Sequence, residues 1–247
     1  MDKKNLNRKE ALTLTSIGLL VAAVVIAVLT AFMSTKVAEG GWLDFIRMLD
    51  NMQNAIMHLP NKWLIVIAIL LVFTLKVFVP IPFPFIFMMT GVIFNHLNAL
   101  IINTIGFSVV LLGKYYWGKS LGGGSAIKTL KKYGNVEDIM YNAGPAKLGI
   151  LVALRLIPSI PVNIVSKIYG GLKFPVVQFV VASIIGFFPK IYTYTIMGGN
   201  ISQPFTWKFM GPVVGLLVIS GISTLVVNIV LEKRNGDSKN GKSKPTD

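Results

Sequence analysis

The stretch from Arg155 to Phe174 constrains the fold of this chain most strongly, because it is apolar, cationic and broken by proline at once. Pro158 and Pro161 lack a backbone N–H donor and push the preceding residue toward extended geometry, so a helix that enters here must stop. Gly170 and Gly171 permit a second sharp turn. The stretch predicts a re-entrant hairpin. Such a broken backbone is tolerated at membrane depth only where protein or a wet cavity surrounds it, which makes it a candidate working site.

A second stretch upstream, over residues 76–94, repeats this pattern and is also interrupted at Pro80. A cation, a proline and a glycine stand at the same mutual spacings in both stretches: Lys76, Pro82 and Gly91, then Arg155, Pro161 and Gly170. Paired segments with such interruptions are typical of transporters built from inverted repeats around a midplane site. We therefore predict an inverted pseudo-repeat with two opposed re-entrant hairpins, over residues 63–95 and 146–173. A chance match of three positions is the alternative.

Composition places the chain among integral membrane proteins. Hydrophobic residues make up 53% of the sequence, charged residues only 14%, and the mean hydropathy is +0.68. The net charge of +14 does not indicate nucleic acid, because the lysines and arginines flank apolar runs, as the positive-inside rule requires. We expect membrane lipids as partners and no nucleic acid.

In chain order, the sequence predicts an all-α polytopic membrane protein with about four full transmembrane helices in addition to the two hairpins. A basic leader (1–10) precedes a membrane domain (11–231), and a polar tail (232–247) is predicted to be disordered. Residues 40–60 read as an amphipathic helix that lies either on the outer surface or against the protein's own spans. The predicted full spans are Ala11–Thr35, Leu97–Tyr116, Pro175–Met197 and Phe209–Leu231.

Four cations lie within or beside apolar segments, whereas all 10 Asp and Glu residues lie in the leader, loops or tail. An unpaired cation at the bilayer centre costs at least about 2.5–3.5 kcal/mol, so it is expected to face a cavity and find a partner. A phosphate headgroup is a suitable partner: Arg155 would offer a planar donor fork, and Lys76 and Lys190 point charges. The alternative is that Lys76, Lys167 and Lys190 snorkel or bind helix C-terminal carbonyls. Asn163 would orient Arg155 or cap the broken helix.

The sequence lacks the residue patterns of thiol chemistry and of metal sites. The chain has no cysteine, and its two histidines stand far apart, without the spacing of a metal site. We expect no metal, no cofactor and no enzymatic activity.

The run from Arg155 to Asn163, Arg-Leu-Ile-Pro-x-x-Pro-x-Asn, followed by Gly170 and Gly171, resembles the VTT-domain superfamily. This superfamily includes the SNARE-associated Golgi protein family and the bacterial DedA proteins. Pro80-x-Pro82 through Gly91-x-x-Phe94 resembles its first motif. Over residues 63–200 the resemblance implies facing re-entrant hairpins, in a superfamily associated with moving phospholipids or polyprenyl-phosphate carriers. Many DedA proteins carry acidic residues around the first motif, where this chain has only phenylalanine and isoleucine, and this argues against carboxylate-based proton coupling.

These observations favour a lipid translocator that passes an anionic headgroup, of a phospholipid or a polyprenyl phosphate, through a polar groove between the hairpins. An ion- or solute-coupled secondary transporter and a non-transporting membrane scaffold are the alternatives. The sequence leaves the lipid, the direction of transport and the formation of a homo-oligomer open. Both ends of the chain are basic, and the predicted number of full spans is even. Together these features predict a cell-membrane protein whose two termini are cytoplasmic.

Cysteine labelling tests this topology, because the chain contains no native cysteine. The loop 118–144 is predicted to be cytoplasmic and the loop 198–208 to lie outside. In intact cells we expect an impermeant maleimide to label Gln203→Cys and to leave Ser125→Cys unlabelled until the membrane is permeabilised. Labelling of Ser125→Cys in intact cells would contradict the topology.

Overall fold

The structure is a computed structural model that describes residues 13, 15–27, 47, 51, 54, 62–132, 148–157 and 160–240. In these residues it contains α-helices and no strand. The leader, most of the predicted amphipathic helix and Pro158 lie outside them. The helices are α1 (Thr15–Ala27), α2 (Lys62–Leu75), α3 (Phe83–Ile93), α4 (His96–Lys132), α5 (Leu148–Leu156), α6 (Val162–Gly171), α7 (Val176–Gly199) and α8 (Trp207–Asn240).

Three helices in this part of the chain are long and apolar enough to cross a membrane: His96–Gly122, Val176–Gly199 and Trp207–Val226. They confirm the last three of the predicted spans. Of the first predicted span, only α1 belongs to the described residues. The protein is thus a helical multi-pass membrane protein.

Four helices are too short to span. α2, α3, α5 and α6 contain 14, 11, 9 and 10 residues, so each is about 14–21 Å long, against roughly 30 Å of hydrocarbon. The chain breaks between α2 and α3 and between α5 and α6, at the predicted prolines. Pro82 (φ −64°, ψ 134°) and Pro161 (φ −66°, ψ 128°) both precede the second helix of their pair in extended geometry. Proline lacks the donor that a continuous helix would need at these positions.

Two long helices extend beyond their predicted spans. The regular geometry of α4 is interrupted at Gly122, whose φ of 77° suits glycine, and a second helical segment continues from there to Lys132. α8 continues to Asn240, although disorder was predicted from residue 232. The polar composition of the tail did not indicate this extension of α8. Adding residues to an existing helix costs far less free energy than nucleating a new one, so a polar segment can continue the helix that precedes it.

Glycines bring α3 into direct backbone contact with α7. A Cβ atom on Gly91 would overlap the carbonyl oxygen of Thr195, and one on Gly198 would overlap the carbonyl oxygen of Met88. Each helix therefore presents a glycine to a carbonyl of the other. Small residues allow this close approach between membrane helices, where packing rather than water drives association.

The same contact recurs between α6 and α4. A Cβ on Gly170 would overlap the carbonyl oxygen of Tyr115, and one on Gly118 would overlap that of Lys167. The spacing between each glycine and the carbonyl residue of its own helix is the same in both crossings. The corresponding residues of the first and second repeat are Met88 and Lys167, Gly91 and Gly170, Tyr115 and Thr195, and Gly118 and Gly198.

Corresponding residues also meet at the centre, where the rings of Phe107 on α4 and Phe187 on α7 stack with centroids 4.5 Å apart. The two helices run antiparallel, because the start of α4 at His96 lies against Gly199, at the end of α7. Two residues that correspond in the repeat and contact each other lie on its pseudo-two-fold axis. Because α4 and α7 run antiparallel, this axis runs across the two helices. This is the packing that an inverted repeat produces.

The helices outside the repeat break its symmetry. α8 packs on α5 and α7, where the Thr193 hydroxyl donates a hydrogen bond of 3.0 Å to the Pro212 carbonyl. α1 packs on α8 with Leu20 facing Gly221. In the described part of the chain, the second half of the repeat is thus covered by helices without a counterpart on the first half.

The glycine contacts generate a stability prediction. Gly91→Ala and Gly170→Ala each force a backbone shift, so each should lower the free energy of unfolding by about 1–3 kcal/mol. Gly215→Ala is the matched control, since a Cβ there meets nothing within 4 Å. Thermal unfolding in one detergent measures all three variants. Equal midpoints for Gly91→Ala and Gly215→Ala would contradict the close crossing.

Candidate functional site

Each break between the short helices holds a buried cation. The exposed fraction is 5% for Lys76 at the first break and 1% for Arg155 at the second. Between positions 51 and 231 the sequence contains only two acidic residues, Glu137 and Asp138, and neither belongs to the described residues. The described helices between these two positions therefore contribute no carboxylate to neutralise the two cations.

Arg155 ties the second break together. Its Nη1 donates to the Val162 carbonyl at 2.9 Å and its Nη2 to the Ser166 hydroxyl at 2.9 Å, both on α6. Its Nε donates to the Ser183 hydroxyl of α7 at 3.2 Å. The guanidinium also lies 5.6 Å from the ring centroid of Phe179. One side chain thus joins the end of α5 to α6 and to the long helix behind it.

Lys190 binds the same break from α7. Its Nζ donates a hydrogen bond of 2.7 Å to the Arg155 carbonyl, which lies in the last turn of α5. Carbonyls in a last helical turn have no donor within the helix, and a cation there also interacts favourably with the helix dipole. This contact corresponds to the alternative considered for the lysines. A substrate-binding role for Lys190 stays a prediction.

Lys76 closes the first break in a similar way. Its Nζ donates to the Ile81 carbonyl, within the link between α2 and α3, and lies 3.9 Å from the ring centroid of Phe83. Lys76 and Arg155, which correspond in the repeat, therefore both reach forward across their own break to a backbone carbonyl. Lys76 makes this one hydrogen bond, whereas Arg155 adds two bonds to serine hydroxyls.

Polar capacity remains around Arg155. A guanidinium has five N–H donors, and the described bonds use three of them. The buried Tyr169 hydroxyl and the buried Asn163 side-chain oxygen have no hydrogen-bond partner among the residues described. Tyr169 also interacts electrostatically with Arg155. Buried polar groups are normally satisfied, so these atoms indicate a place for water or for a polar ligand group.

Sequence reasoning missed the uncharged polar residues that hold the breaks. Asn103 donates to the Phe87 carbonyl at 3.2 Å and to the Thr195 hydroxyl at 2.8 Å, which joins α3 to both long helices. Asn103 and Ser183 occupy corresponding positions of α4 and α7. In the sequence, each of them is an uncharged polar side chain in the middle of an apolar span. Attention to charged residues alone does not reveal such a position.

Lys114 is a further cation that sequence reasoning missed. It lies in α4 with an exposed fraction of 7%, and its Nζ is 4.9 Å from the ring centroid of Trp117. The missed signal was a single charge inside the predicted span Leu97–Tyr116.

A groove of about 370 Å³ opens between α2 and α4. Its lining is almost entirely hydrocarbon, which suits an acyl chain more than a polar solute. The groove is lined by Trp63, Val66, Phe94, Asn98, Ile101, Ile102 and Ile105.

In the described part of the chain, no three His, Cys, Asp or Glu residues stand close enough together to hold a metal ion.

The family model of the VTT domain matches residues 81–200, from just before α3 to just after α7. Residues 81–200 form a VTT domain. This confirms the resemblance, because the VTT domain is the domain of the SNARE-associated and DedA family. The VTT match includes Arg155, Asn163 and Lys190, and it begins after Lys76. No curated protein and no solved structure matches the chain.

The hydrogen bonds of Arg155 predict the effect of two small substitutions. Ser166→Ala and Ser183→Ala each leave a buried guanidinium N–H without its acceptor, so each should lower the free energy of unfolding by about 1–3 kcal/mol. Ser108→Ala is the control, because this hydroxyl bonds only to the Thr104 carbonyl of its own helix. Chemical or thermal unfolding in detergent provides the measurement. Unchanged stability in both variants would show that the guanidinium does not depend on these hydroxyls.

Proposed function

We propose that this VTT-domain protein is a lipid translocator of the flippase or scramblase kind. It moves the anionic headgroup of a phospholipid or polyprenyl phosphate through a polar groove between two re-entrant hairpins, while the acyl or prenyl tails stay in the bilayer. The observation that carries the proposal is the pair of helix breaks, each with a buried cation and with no carboxylate on the described residues between positions 51 and 231.

The charges favour an anionic substrate. Excess positive charge at membrane depth is costly unless an anion is present for part of the cycle. A phosphate group has several acceptor oxygens, and it can engage the free N–H groups of Arg155 in charge-assisted bonds about twice as strong as neutral ones. The Tyr169 hydroxyl, which has no hydrogen-bond partner among the described residues, adds a further donor.

The surroundings favour a lipid over a small solute. The groove beside α2 and α4 has apolar walls, so a tail can remain in hydrocarbon while the headgroup meets the hairpins. A proton-coupled transporter would need a titratable carboxylate at depth, and residues 139–231 contain no Asp or Glu. The proposal includes a cell-membrane location, two cytoplasmic termini and no enzymatic step.

Arg155 is proposed to contact the headgroup phosphate. It makes bonds in three directions, to Val162, Ser166 and Ser183, and a single ammonium group cannot reproduce this fork. Arg155→Lys should therefore fail nearly as badly as Arg155→Ala. Lys76 makes only one bond, so Lys76→Arg should be tolerated.

The test is headgroup movement in liposomes that contain purified protein, measured for a phosphatidylglycerol and a phosphatidylcholine probe. We expect Arg155→Lys and Arg155→Ala to slow movement of the anionic probe by about tenfold or more, as the loss of a buried charged bond of about 1.5–3 kcal/mol implies. Lys208→Ala, which removes an exposed lysine at the start of α8, is the charge control and should keep the wild-type rate.

Each variant is compared at equal protein content and after its thermal midpoint has been measured, which separates loss of function from loss of fold. Wild-type rates in a folded Arg155→Ala variant would remove Arg155 from the site. A wild-type protein that moves neither probe would contradict translocation and favour a scaffold.

A further inference from the structure

A second group of cations surrounds Trp117, where α4 crosses α6. Lys114 lies 4.9 Å and Lys167 4.4 Å from the ring centroid of this tryptophan. Phe78, next to the first helix break, packs on the same indole with ring centroids 6.1 Å apart. Two ammonium groups, from two different helices, thus converge on one aromatic side chain. We call these three residues, Lys114, Lys167 and Trp117, the tryptophan cluster.

The ammonium groups of this cluster lack an anionic partner among the described residues. Lys114 has an exposed fraction of only 7%, yet its described contacts are the indole and the repulsion of neighbouring lysines. Lys167 repels Lys114, and Lys114 in turn repels Lys76. Like charges destabilise one another, and a ring face compensates by only about 0.5–2 kcal/mol. Two ammonium groups that converge on one ring, with no carboxylate among the described residues around them, favour the binding of an anion.

The packing of the helices does not require these lysines. In the corresponding crossing of α7 with α3, the repeat carries Tyr194 in place of Lys114, Met88 in place of Lys167 and Met197 in place of Trp117. That crossing makes the same glycine-to-carbonyl contacts with no cation. The repeat thus provides an internal comparison, in which one of two equivalent crossings has acquired two positive charges.

We propose that the tryptophan cluster is a binding site for a phosphate-bearing anion, separate from Arg155 and present in only one half of the repeat. The ligand is either a lipid headgroup or free phosphate, and the two ammonium groups beside the indole would bind its oxygens. The site gives the two ends of the repeat different affinities for an anion. This inference goes beyond translocation, since binding here needs no transport.

Fluorescence of Trp117 tests the site directly. Trp42→Phe, Trp63→Phe and Trp207→Phe leave it as the single tryptophan of the chain. The protein is placed in phosphatidylcholine nanodiscs and titrated with increasing fractions of phosphatidic acid, and separately with inorganic phosphate. We expect a saturable change in emission with phosphatidic acid. A saturable change with inorganic phosphate alone would instead identify the free anion as the ligand of the same site.

The residues of the corresponding crossing define the substitutions that test the site. Lys114→Tyr and Lys167→Met introduce the residues that the other crossing already packs, and each should weaken binding by about tenfold. Lys119→Met is the matched control: this exposed lysine lies 5.8 Å from the ring centroid of Tyr116, and its loss should change affinity less than about twofold. Arg155→Ala should leave binding at Trp117 intact, so a failure of the translocation proposal leaves this result unaffected.

Two outcomes would overturn the inference. One is the absence of a saturable response to either ligand in the single-tryptophan protein. The other is an equal loss of affinity in all three variants, Lys114→Tyr, Lys167→Met and Lys119→Met, because this result would attribute the binding to overall surface charge.

Discussion

A broken helix within a membrane domain leaves backbone carbonyls that water cannot reach, and the rest of this structure depends on how those carbonyls are satisfied. At the second break, Arg155 donates to the Val162 carbonyl and receives a bond from Lys190 at its own carbonyl. At the first break, Lys76 donates to Ile81. The cations that first indicate a binding site in the sequence thus also hold the backbone in the shape that makes a site there. The structural role of these residues and their proposed substrate-binding role therefore coincide.

The long helices position these breaks. α4 and α7 run antiparallel, meet at the stacked rings of Phe107 and Phe187, and each receives a short helix through glycine-to-carbonyl contacts. Because a Cβ atom at those glycines would overlap backbone, the distance between helices is set by main chain rather than by adaptable side chains. From corresponding positions, Asn103 then bonds to α3 and Ser183 to Arg155 at the end of α5. Rigid placement of this kind favours a preorganised site.

The two halves share packing and differ in charge. Arg155 is enclosed by acceptors from its own half, whereas Lys114 and Lys167 have only an indole face and each other in the described structure. Among the described helices, α8 packs on α5 and α7 of the second half. An inverted repeat with identical ends would treat a headgroup alike from both sides. Differences in covering and in charge supply a physical basis for sidedness in a protein whose core is otherwise pseudo-symmetric.

The sequence by itself determined the membrane class, the three long spans, the helix breaks at Pro82 and Pro161, and the correspondence of Lys76 with Arg155. Proline geometry and hydrocarbon thickness act locally and leave their mark in a single segment. Only the tertiary structure decided the partners: Ser166 and Ser183 for Arg155, the α5 carbonyl for Lys190, and the meeting of Lys114 with Lys167 on Trp117. These contacts join residues far apart in the chain, and their geometry exists only after the two repeats have packed, because side-chain reach depends on helix crossings that no local pattern encodes.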